Sequence, residues 1–157
     1  MAEHLAAGLL MCRIKGSGLE FFLIHPGGPF FKNKDLGAWS IPKGLPDPQE
    51  DLLITAQREF TEETGLTAQP PFHALGTIKQ KGGKTVHAWT FLGDWDPEKG
   101  IQCNTFKIEW PPKSGKLQEF PEADKAEWMD YEKAIKQIIP EQIPLLDRAR
   151  DVFQVKG

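Results

Sequence analysis

The chain has 157 residues, 39% of them hydrophobic and 26% charged, a composition typical of one globular domain with a buried core. Its formal net charge of −3 gives no sign of a surface that coats a polyanion, so we expect no nucleic-acid partner; an enzyme with a small basic pocket stays open. No apolar run approaches the roughly 18 residues of a membrane span, so we expect no membrane partner.

The two cysteines, Cys12 and Cys103, lie far apart in the sequence and show no metal-like spacing. Two free, buried thiols are typical of a protein in a reducing compartment. The N-terminal sequence MAEHLAAGLLMCRIKG lacks the basic segment, apolar core and cleavage site of a signal peptide. Together these features predict a cytoplasmic protein.

The N-terminal part of the chain predicts a β-hairpin, a loop and a short strand. Residues 5–14 and 19–25 are apolar runs separated by a glycine-containing turn, which is the pattern of two antiparallel strands. Residues 26–37 are rich in Gly and Pro and predict a loop that carries two aromatic residues and two lysines. Residues 38–41 predict a short strand that ends before Pro42.

Residues 51–65 predict the clearest helix of the chain. Its apolar side chains lie within about 100° of one another on a helical wheel and are Leu52, Leu53, Ala56 and Phe60. Gly65 suits the position after the last turn, where a left-handed backbone is common. Two starts are open: Asp51 can cap the first turn, or Asp47 and Glu50 can form a capping box about one turn earlier.

The next part of the chain predicts a second hairpin and further strands. The hairpin covers residues 72–95 and turns at Gly82 and Gly83, which we interpret as a two-residue loop. Residues 104–110 predict a strand that ends before two prolines. Residues 126–130 predict either a short strand or the approach to a helix.

Two helices are expected at the C-terminal end of the sequence, over residues 131–139 and 141–153. The sequence shows no internal repeat, low-complexity segment or linker. One α+β domain over residues 1–157 is the simplest interpretation of this order of elements.

Three carboxylates crowd one face of the predicted helix in the stretch REFTEETGL. Glu62 and Glu63 lie three and four positions after Glu59, and like charges at that spacing repel by about 0.2–0.5 kcal/mol per pair. The nearest cation is Arg58. Because this face borders the apolar stripe, we expect partial desolvation, which strengthens the repulsion. A hard cation such as Mg²⁺ removes it, so the stretch favours a metal site over the alternative of a solvated acidic face.

The spacing of residues around this helix follows one known pattern. It reads Gly, five residues, Glu, seven residues, Arg-Glu, an apolar residue, one residue, Glu-Glu, one residue, Gly and an apolar residue, over residues 44–66. Every defined position of the Nudix box is therefore present, and the chain resembles the Nudix (MutT-like) hydrolases. The resemblance implies an α+β Nudix fold, in which a mixed β-sheet is sandwiched between helices in an α/β/α arrangement.

The resemblance also implies a metal-dependent hydrolase with Mg²⁺, or Mn²⁺, as cofactor. The implied metal ligands are Glu59, Glu62, Glu63 and the backbone carbonyl of Lys43. Glu59 is implied either as a ligand or as the base that activates water. Arg58 would orient Glu59 through a charge-assisted hydrogen bond, and Glu50 would support the metal shell.

Nudix proteins often use a further acid from outside the box. The acids that could serve here are Glu109, Glu119 and Glu122. Among them we favour Glu119 as an additional metal ligand, while each is also interpretable as a surface charge.

The loop before the box supplies residues that could bind a substrate. Its lysines could reach phosphates as point charges and are Lys32, Lys34 and Lys43. Its aromatic residues could stack on a base, an interaction worth about 1–3 kcal/mol, and are Phe30, Phe31 and Trp39. Core packing is an equally good interpretation of the aromatic residues. His25 and His87 are interpreted as structural.

The implied substrate is a nucleoside diphosphate linked to a further group, and the bond broken is a phosphoanhydride. The layout GAWSIPKG, with Trp ahead of PKG, is similar to the diadenosine-tetraphosphate-hydrolase side of the family, which points to a dinucleoside polyphosphate. Release of pyrophosphate from non-standard nucleoside triphosphates is an alternative reaction. A non-catalytic nucleotide-sensing Nudix module is an alternative of another class, although such modules typically lose box glutamates. The oligomeric state stays open.

Overall fold

A six-stranded mixed sheet forms the centre of the computed structural model, which describes residues 4–153. The strands are β1 (His4–Lys15), β2 (Gly18–Pro26), β3 (Lys43–Gly44), β4 (His73–Gln80), β5 (Lys84–Leu92), β6 (Thr105–Glu109), β7 (Leu117–Pro121) and β8 (Ala123–Met129). The helices are α1 (Leu52–Thr64), α2 (Tyr131–Gln137) and α3 (Ile143–Phe153), with single 3₁₀ turns at Pro97–Lys99 and Pro140–Gln142. None of the helices in this part of the chain is long and apolar enough to cross a lipid bilayer.

The sheet has the strand order β4-β5-β1-β2-β8, with β3 attached to β1. β1 and β5 run parallel, and the other neighbouring strands are antiparallel. β2 pairs with the C-terminal part of β1, whereas β3 pairs with the earlier positions Ala7 and Gly8. The two strands β6 and β7 form a separate small sheet.

The two faces of β1 bury two separate cores because successive strand residues point to opposite sides. Ala6, Leu10 and Cys12 lie in the core that α2 and α3 cover. Ala7, Leu9 and Met11 lie in the other core, against α1. The central sheet is therefore sandwiched between helices, and the predicted α+β fold with an α/β/α arrangement is confirmed.

The main elements lie where the sequence predicts them, with local differences. The first hairpin and the helix around the box are present, and residues 126–129 belong to a strand, β8, whereas Asp130 caps α2. The predicted strand over residues 38–41 is wrong: this segment makes only isolated bridges, at Trp39 and Ser40. The loop between β4 and β5 has three residues rather than two, because Gln80 pairs directly with Lys84.

Strand β7 was not predicted, because its sequence LQEFP is short, largely exposed and ends in proline. It pairs with β6, which corresponds to the predicted strand over residues 104–110. The single-domain prediction for residues 1–157 includes residues 1–3 and 154–157, which lie outside the described part of the chain.

Helix α1 begins after Asp51, whose side chain makes no capping hydrogen bond. Glu50 instead accepts a hydrogen bond from the backbone N–H of Asp47 at 3.0 Å, so half of the predicted capping box is present in the turn before the helix. Gly65 ends the helix in the left-handed region, at φ 78°, as its position in the sequence predicts.

Gly8 allows the segment before the box to lie directly on β1. A Cβ at this position would lie 2.7 Å from the Pro42 carbonyl oxygen, 2.8 Å from the Lys43 Cβ and 2.9 Å from the Ile41 Cδ1. The same segment accepts a hydrogen bond from the backbone N–H of Leu9 at 3.1 Å. The small size of Gly8 therefore sets the position of residues 41–44.

We predict that Gly8→Ala lowers the free energy of unfolding by about 1–3 kcal/mol, because the new methyl group overpacks a backbone contact. Gly18→Ala is the matched control, since Gly18 also lies in a strand and a Cβ there would meet only the Lys15 carbonyl oxygen, at 3.8 Å. The control is expected within about 1 kcal/mol of the wild type. Urea unfolding of the three proteins measures the difference, and equal stability of the two variants would contradict the contact.

Candidate active site

The carboxylate of Glu59 lies directly against the backbone of Gly44. Helix α1 packs on β3, and a Cβ at Gly44 would collide with the Glu59 carboxylate group. The Glu59 side chain is only 14% exposed. Within residues 4–153, its buried Oε2 atom has no hydrogen-bond partner. An unpartnered carboxylate oxygen in a recess that excludes a methyl group is unusual, because buried polar atoms are nearly always bonded.

The surroundings of Glu59 favour its protonated form. Burial raises the pKa of Glu59 to about 7, and the negative charge of Glu62 adds to this rise. The guanidinium of Arg58 opposes the rise, but its Nη1 lies 3.8 Å from the Glu59 Oε2, which is too far for a hydrogen bond. A carboxylate with this pKa can exchange a proton near neutral pH.

Glu63 forms the second buried carboxylate of the site. Its Oε2 accepts a hydrogen bond from the backbone N–H of Lys43 at 2.9 Å. Burial raises the pKa of Glu63 to about 8, and the charges of Glu59 and Glu122 add to the rise. The hydrogen bond from Lys43 acts in the opposite direction but does not overcome the loss of water.

The hydrogen-bond partners of Arg58 differ from Glu59, the partner that the sequence predicts. Its guanidinium donates two hydrogen bonds to Glu50, at 3.0 and 2.9 Å, and one to Glu62 at 2.7 Å. A further bond goes to the Leu45 carbonyl oxygen at 3.0 Å. The prediction that Arg58 orients Glu59 through a hydrogen bond is therefore wrong. The guanidinium of Arg58 instead pairs through two nitrogens with the carboxylate of Glu50, and these bonds lower the pKa of Glu50 to about 2.

The oxygen-rich donor set fits a hard divalent cation. In the part of the chain that the structure describes, no three acidic, His or Cys side chains converge into a group that could surround an ion. Arg58 holds the carboxylate of Glu62, and the Lys43 N–H holds that of Glu63. The bare Glu59 oxygen nevertheless supplies a negatively charged oxygen of the kind that Mg²⁺ or Mn²⁺ takes as a ligand.

Among the acids outside the box, Glu122 lies at the site and the favoured Glu119 does not. Glu122 lines the same cavity as Glu63, and its charge raises the pKa of both Glu59 and Glu63. Glu119 is exposed on β7, where it pairs with Lys107 of β6, and it is not part of the cavity wall. The bend between β7 and β8 turns Glu122 toward the box, and the sequence alone gave no reason to prefer it.

A cavity of about 220 Å³ opens beside the carboxylates. Its wall combines apolar and charged residues and consists of Ile24, Pro26, Phe31, Gly37, Ala38, Ser40, Ile41, Lys43, Glu63, Glu122 and Ile139. Two of the predicted substrate residues, Phe31 and Lys43, are thus part of it. Burial lowers the pKa of Lys43, and the nearby charge of Lys84 lowers it further, a neighbour that sequence reasoning missed.

The other predicted substrate residues are not part of the cavity wall. Lys32 is exposed on the loop, outside the cavity wall, and the ammonium of Lys34 lies 5.7 Å from the centre of the Phe31 ring. Trp39 is only 3% exposed, with His25 packed edge-on against its ring and Lys125 above it. The interpretation of Trp39 as a base-stacking residue is therefore replaced by core packing.

The exposed Phe30 packs against Trp110, with 5.4 Å between the ring centroids, and it is not part of the cavity wall either.

A family model described as "NUDIX domain" matches residues 2–149, which is most of the chain. The chain belongs to the Nudix (MutT-like) hydrolase superfamily. The family resemblance predicted from residues 44–66 is thereby confirmed, and these residues contain the Gly44 contact and the carboxylates of α1.

Two curated Nudix relatives and one solved structure are similar to this chain. Nucleoside diphosphate-linked moiety X motif 6 of Xenopus laevis is 44% identical over 50 residues, which is 32% of this chain and 22% of the relative. This chain thus matches about a fifth of that relative's length. Bis(5'-nucleosyl)-tetraphosphatase (asymmetrical) of Rattus norvegicus is 29% identical over 108 residues, which is 64% of this chain and 69% of the relative. The crystal structure of a C. elegans Ap4A hydrolase binary complex has a TM-score of 0.65 and 24% identity, over 95% of this chain and 98% of that one.

We predict that the metal-free protein loses stability as the pH rises. Both raised pKa values mean that the folded state binds protons more tightly than the unfolded state. This contribution is complete below the ordinary glutamate pKa of 4.5 and is lost as the pH rises through about 7 for Glu59 and about 8 for Glu63. Melting temperatures measured in a chelator between about pH 5 and pH 9 should therefore fall.

Glu63→Gln should reduce the fall in melting temperature with rising pH, because it removes one of the two buried groups that titrate. Glu132→Gln, at an exposed position of α2, is the control and should keep the wild-type slope. A melting temperature that depends on pH equally in all three proteins would contradict the assignment of the fall to this cluster.

Proposed function

We propose that the protein is a metal-dependent Nudix hydrolase that cleaves a phosphoanhydride bond in a nucleoside-diphosphate-linked substrate. The observation that carries this proposal is the buried Glu59 oxygen without a partner, held in the recess at Gly44. A folded protein that keeps such an oxygen bare has a site for a cation or a proton. Both are needed for hydrolysis of a phosphate chain.

The proposed roles follow from the contacts of each residue. Glu59, Glu62, Glu63 and the Lys43 carbonyl would hold a divalent cation, Mg²⁺ or Mn²⁺. Such a cation, when bound, neutralises the charge that develops on the phosphate oxygens. Glu59 is proposed either as a ligand of this cation or as the base that accepts the proton of the attacking water.

Arg58 and Glu50 are proposed to act on the position of α1 rather than on the substrate. Their two-point pairing joins the turn before α1 to the second turn of the helix. Arg58 also draws Glu62 to one side, at 2.7 Å, so that the carboxylates of α1 are spread rather than collapsed on one another.

The cavity beside the box is proposed to receive one end of the substrate. Phe31 supplies an aromatic face that is 38% exposed, and the ammonium of Lys43 supplies a positive charge for a phosphate. Lys34 adds a second charge above Phe31. These features suit a small-molecule nucleotide, with its base at the apolar wall and its phosphates toward α1.

A dinucleoside polyphosphate is the proposed first substrate. The support is the tetraphosphatase relative from Rattus norvegicus, together with the GAWSIPKG segment of this chain. Pyrophosphate release from non-standard nucleoside triphosphates is the alternative within the same chemistry. A non-catalytic nucleotide sensor is the alternative of another class, and the intact set of box glutamates argues against it.

A cytoplasmic location is part of the same proposal. Cys12 and Cys103 are both free thiols, which suits a reducing compartment.

We predict that Glu62→Gln combined with Glu63→Gln lowers metal-dependent turnover by more than about a hundredfold, because two charged ligands are removed. Mn²⁺ binding, followed by electron paramagnetic resonance, should weaken in parallel. The control is Glu98→Gln combined with Glu132→Gln, which makes the same change of charge at two exposed positions. Unchanged turnover and Mn²⁺ binding in the first double variant would overturn the metal assignment.

The substrate is tested with a panel in Mg²⁺ or Mn²⁺ that follows phosphate release. The panel contains diadenosine tetraphosphate, nucleoside triphosphates, ADP-ribose, NADH, nucleotide sugars and diphosphoinositol phosphates. Fastest turnover of diadenosine tetraphosphate supports the proposal, and fastest turnover of triphosphates supports the alternative reaction. Nucleotide binding without any turnover would favour the sensor.

A further inference from the structure

His25 lies at the point where β2 reaches the cavity. It is the second-last residue of β2, and its two chain neighbours, Ile24 and Pro26, are part of the cavity wall. The His25 side chain itself is 1% exposed and does not line the cavity. Any effect of this imidazole on a substrate must therefore act through the residues that it holds.

Both ring nitrogens of His25 are bonded, and to different elements. Nδ1 lies 2.8 Å from the Asp124 Oδ1 on β8, and Nε2 lies 2.5 Å from the Lys34 carbonyl oxygen in the loop. A carbonyl oxygen carries no hydrogen, so Nε2–H is the donor of the second bond. The ring of Trp39 packs against the imidazole, with 5.2 Å between the ring centroids.

The bonded carbonyl belongs to the turn that carries Phe31. The backbone N–H of Lys34 donates to the Phe31 carbonyl oxygen at 3.0 Å, which closes a turn over residues 31–34. The Lys34 ammonium lies 5.7 Å from the Phe31 ring centre. The bond from His25 thus anchors this turn to the sheet, and Phe31 is the one residue of the turn that lines the cavity.

We propose that His25 is a positioning residue for substrate binding. It joins β8, through Asp124, to the loop over residues 27–37 and so keeps Phe31 in the cavity wall, where it faces the nucleoside end of the substrate. The identity of that substrate rests on the proposed function, whereas the order of the loop does not. The chemistry on α1 is separate from this linkage, so loss of His25 acts on substrate affinity rather than on the reaction step.

The test compares His25→Phe with His73→Phe. His73 on β4 also packs edge-on against an aromatic ring, Phe153 at 5.6 Å, but it lies at the other edge of the sheet. His25→Phe keeps an aromatic ring beside Trp39 and removes both hydrogen bonds. Hydrogen–deuterium exchange over residues 27–37 should become about tenfold faster in His25→Phe and stay unchanged in His73→Phe.

Steady-state kinetics with diadenosine tetraphosphate gives the functional result. We expect KM to rise about tenfold in His25→Phe with kcat within about twofold of the wild type, as for loss of binding contacts alone. A fall in kcat at constant KM would overturn the positioning role. If the wild type does not hydrolyse this compound, the proposed substrate fails, and the exchange experiment still decides whether His25 orders the loop.

Two conservative variants separate the two hydrogen bonds and cover the case in which the phenylalanine variant does not fold. The amide of His25→Gln reaches about as far as Nε2 and can donate to the Lys34 carbonyl, whereas the shorter His25→Asn reaches only toward Asp124. Slow exchange and near-wild-type KM should return in His25→Gln and not in His25→Asn. Wild-type exchange in the loop of His25→Asn would overturn the proposal.

Discussion

The contact between Gly44 and the Glu59 carboxylate is the constraint on which the rest of the site depends. It requires that β3 carry no side chain where α1 crosses it, and that β3 be held firmly in that place. Gly8 provides the second condition, because residues 41–43 lie directly against it on β1. Gly8 and Gly44 thus allow β1, the segment before the box and α1 to approach one another closely.

The charges of the site are balanced unequally, and this inequality explains its chemistry. Arg58 neutralises Glu50 and Glu62 through short hydrogen bonds, so those two carboxylates are stable without further help. Glu59 and Glu63 have no guanidinium at hydrogen-bond distance, and within residues 4–153 their one hydrogen bond comes from the Lys43 N–H to Glu63. Protonation relieves the remaining charge, so we expect the stability of the folded state to depend on pH.

The sequence predicted the parts of the site that depend on local spacing and missed those that depend on tertiary contacts. Helix periodicity was sufficient to place the carboxylates on one face of α1 and to end the helix at Gly65. The partner of Arg58 was mistaken, because the turn before α1 folds back and brings Glu50 within reach. The preference for Glu119 over Glu122 failed for a similar reason, since the unpredicted strand β7 carries Glu119 away. The alternation of apolar and polar residues could not reveal the bend between β7 and β8 that turns Glu122 toward the box.

The carboxylates of the box and most of the cavity wall belong to different elements of this fold. The carboxylates lie on a regular helix whose position is set by backbone contacts, so the spacing within residues 44–66 largely determines them. The cavity wall is instead assembled from several segments. One of them, the loop over residues 27–37, contributes Phe31 and Gly37, has little regular structure and is tied to the sheet at separate points, including Gly27 N–H to the Glu122 carbonyl at 3.0 Å. Because the spacing of the box leaves that loop undetermined, the box identifies the family of the chain, and we propose that the anchoring of the loop influences which nucleotide can bind.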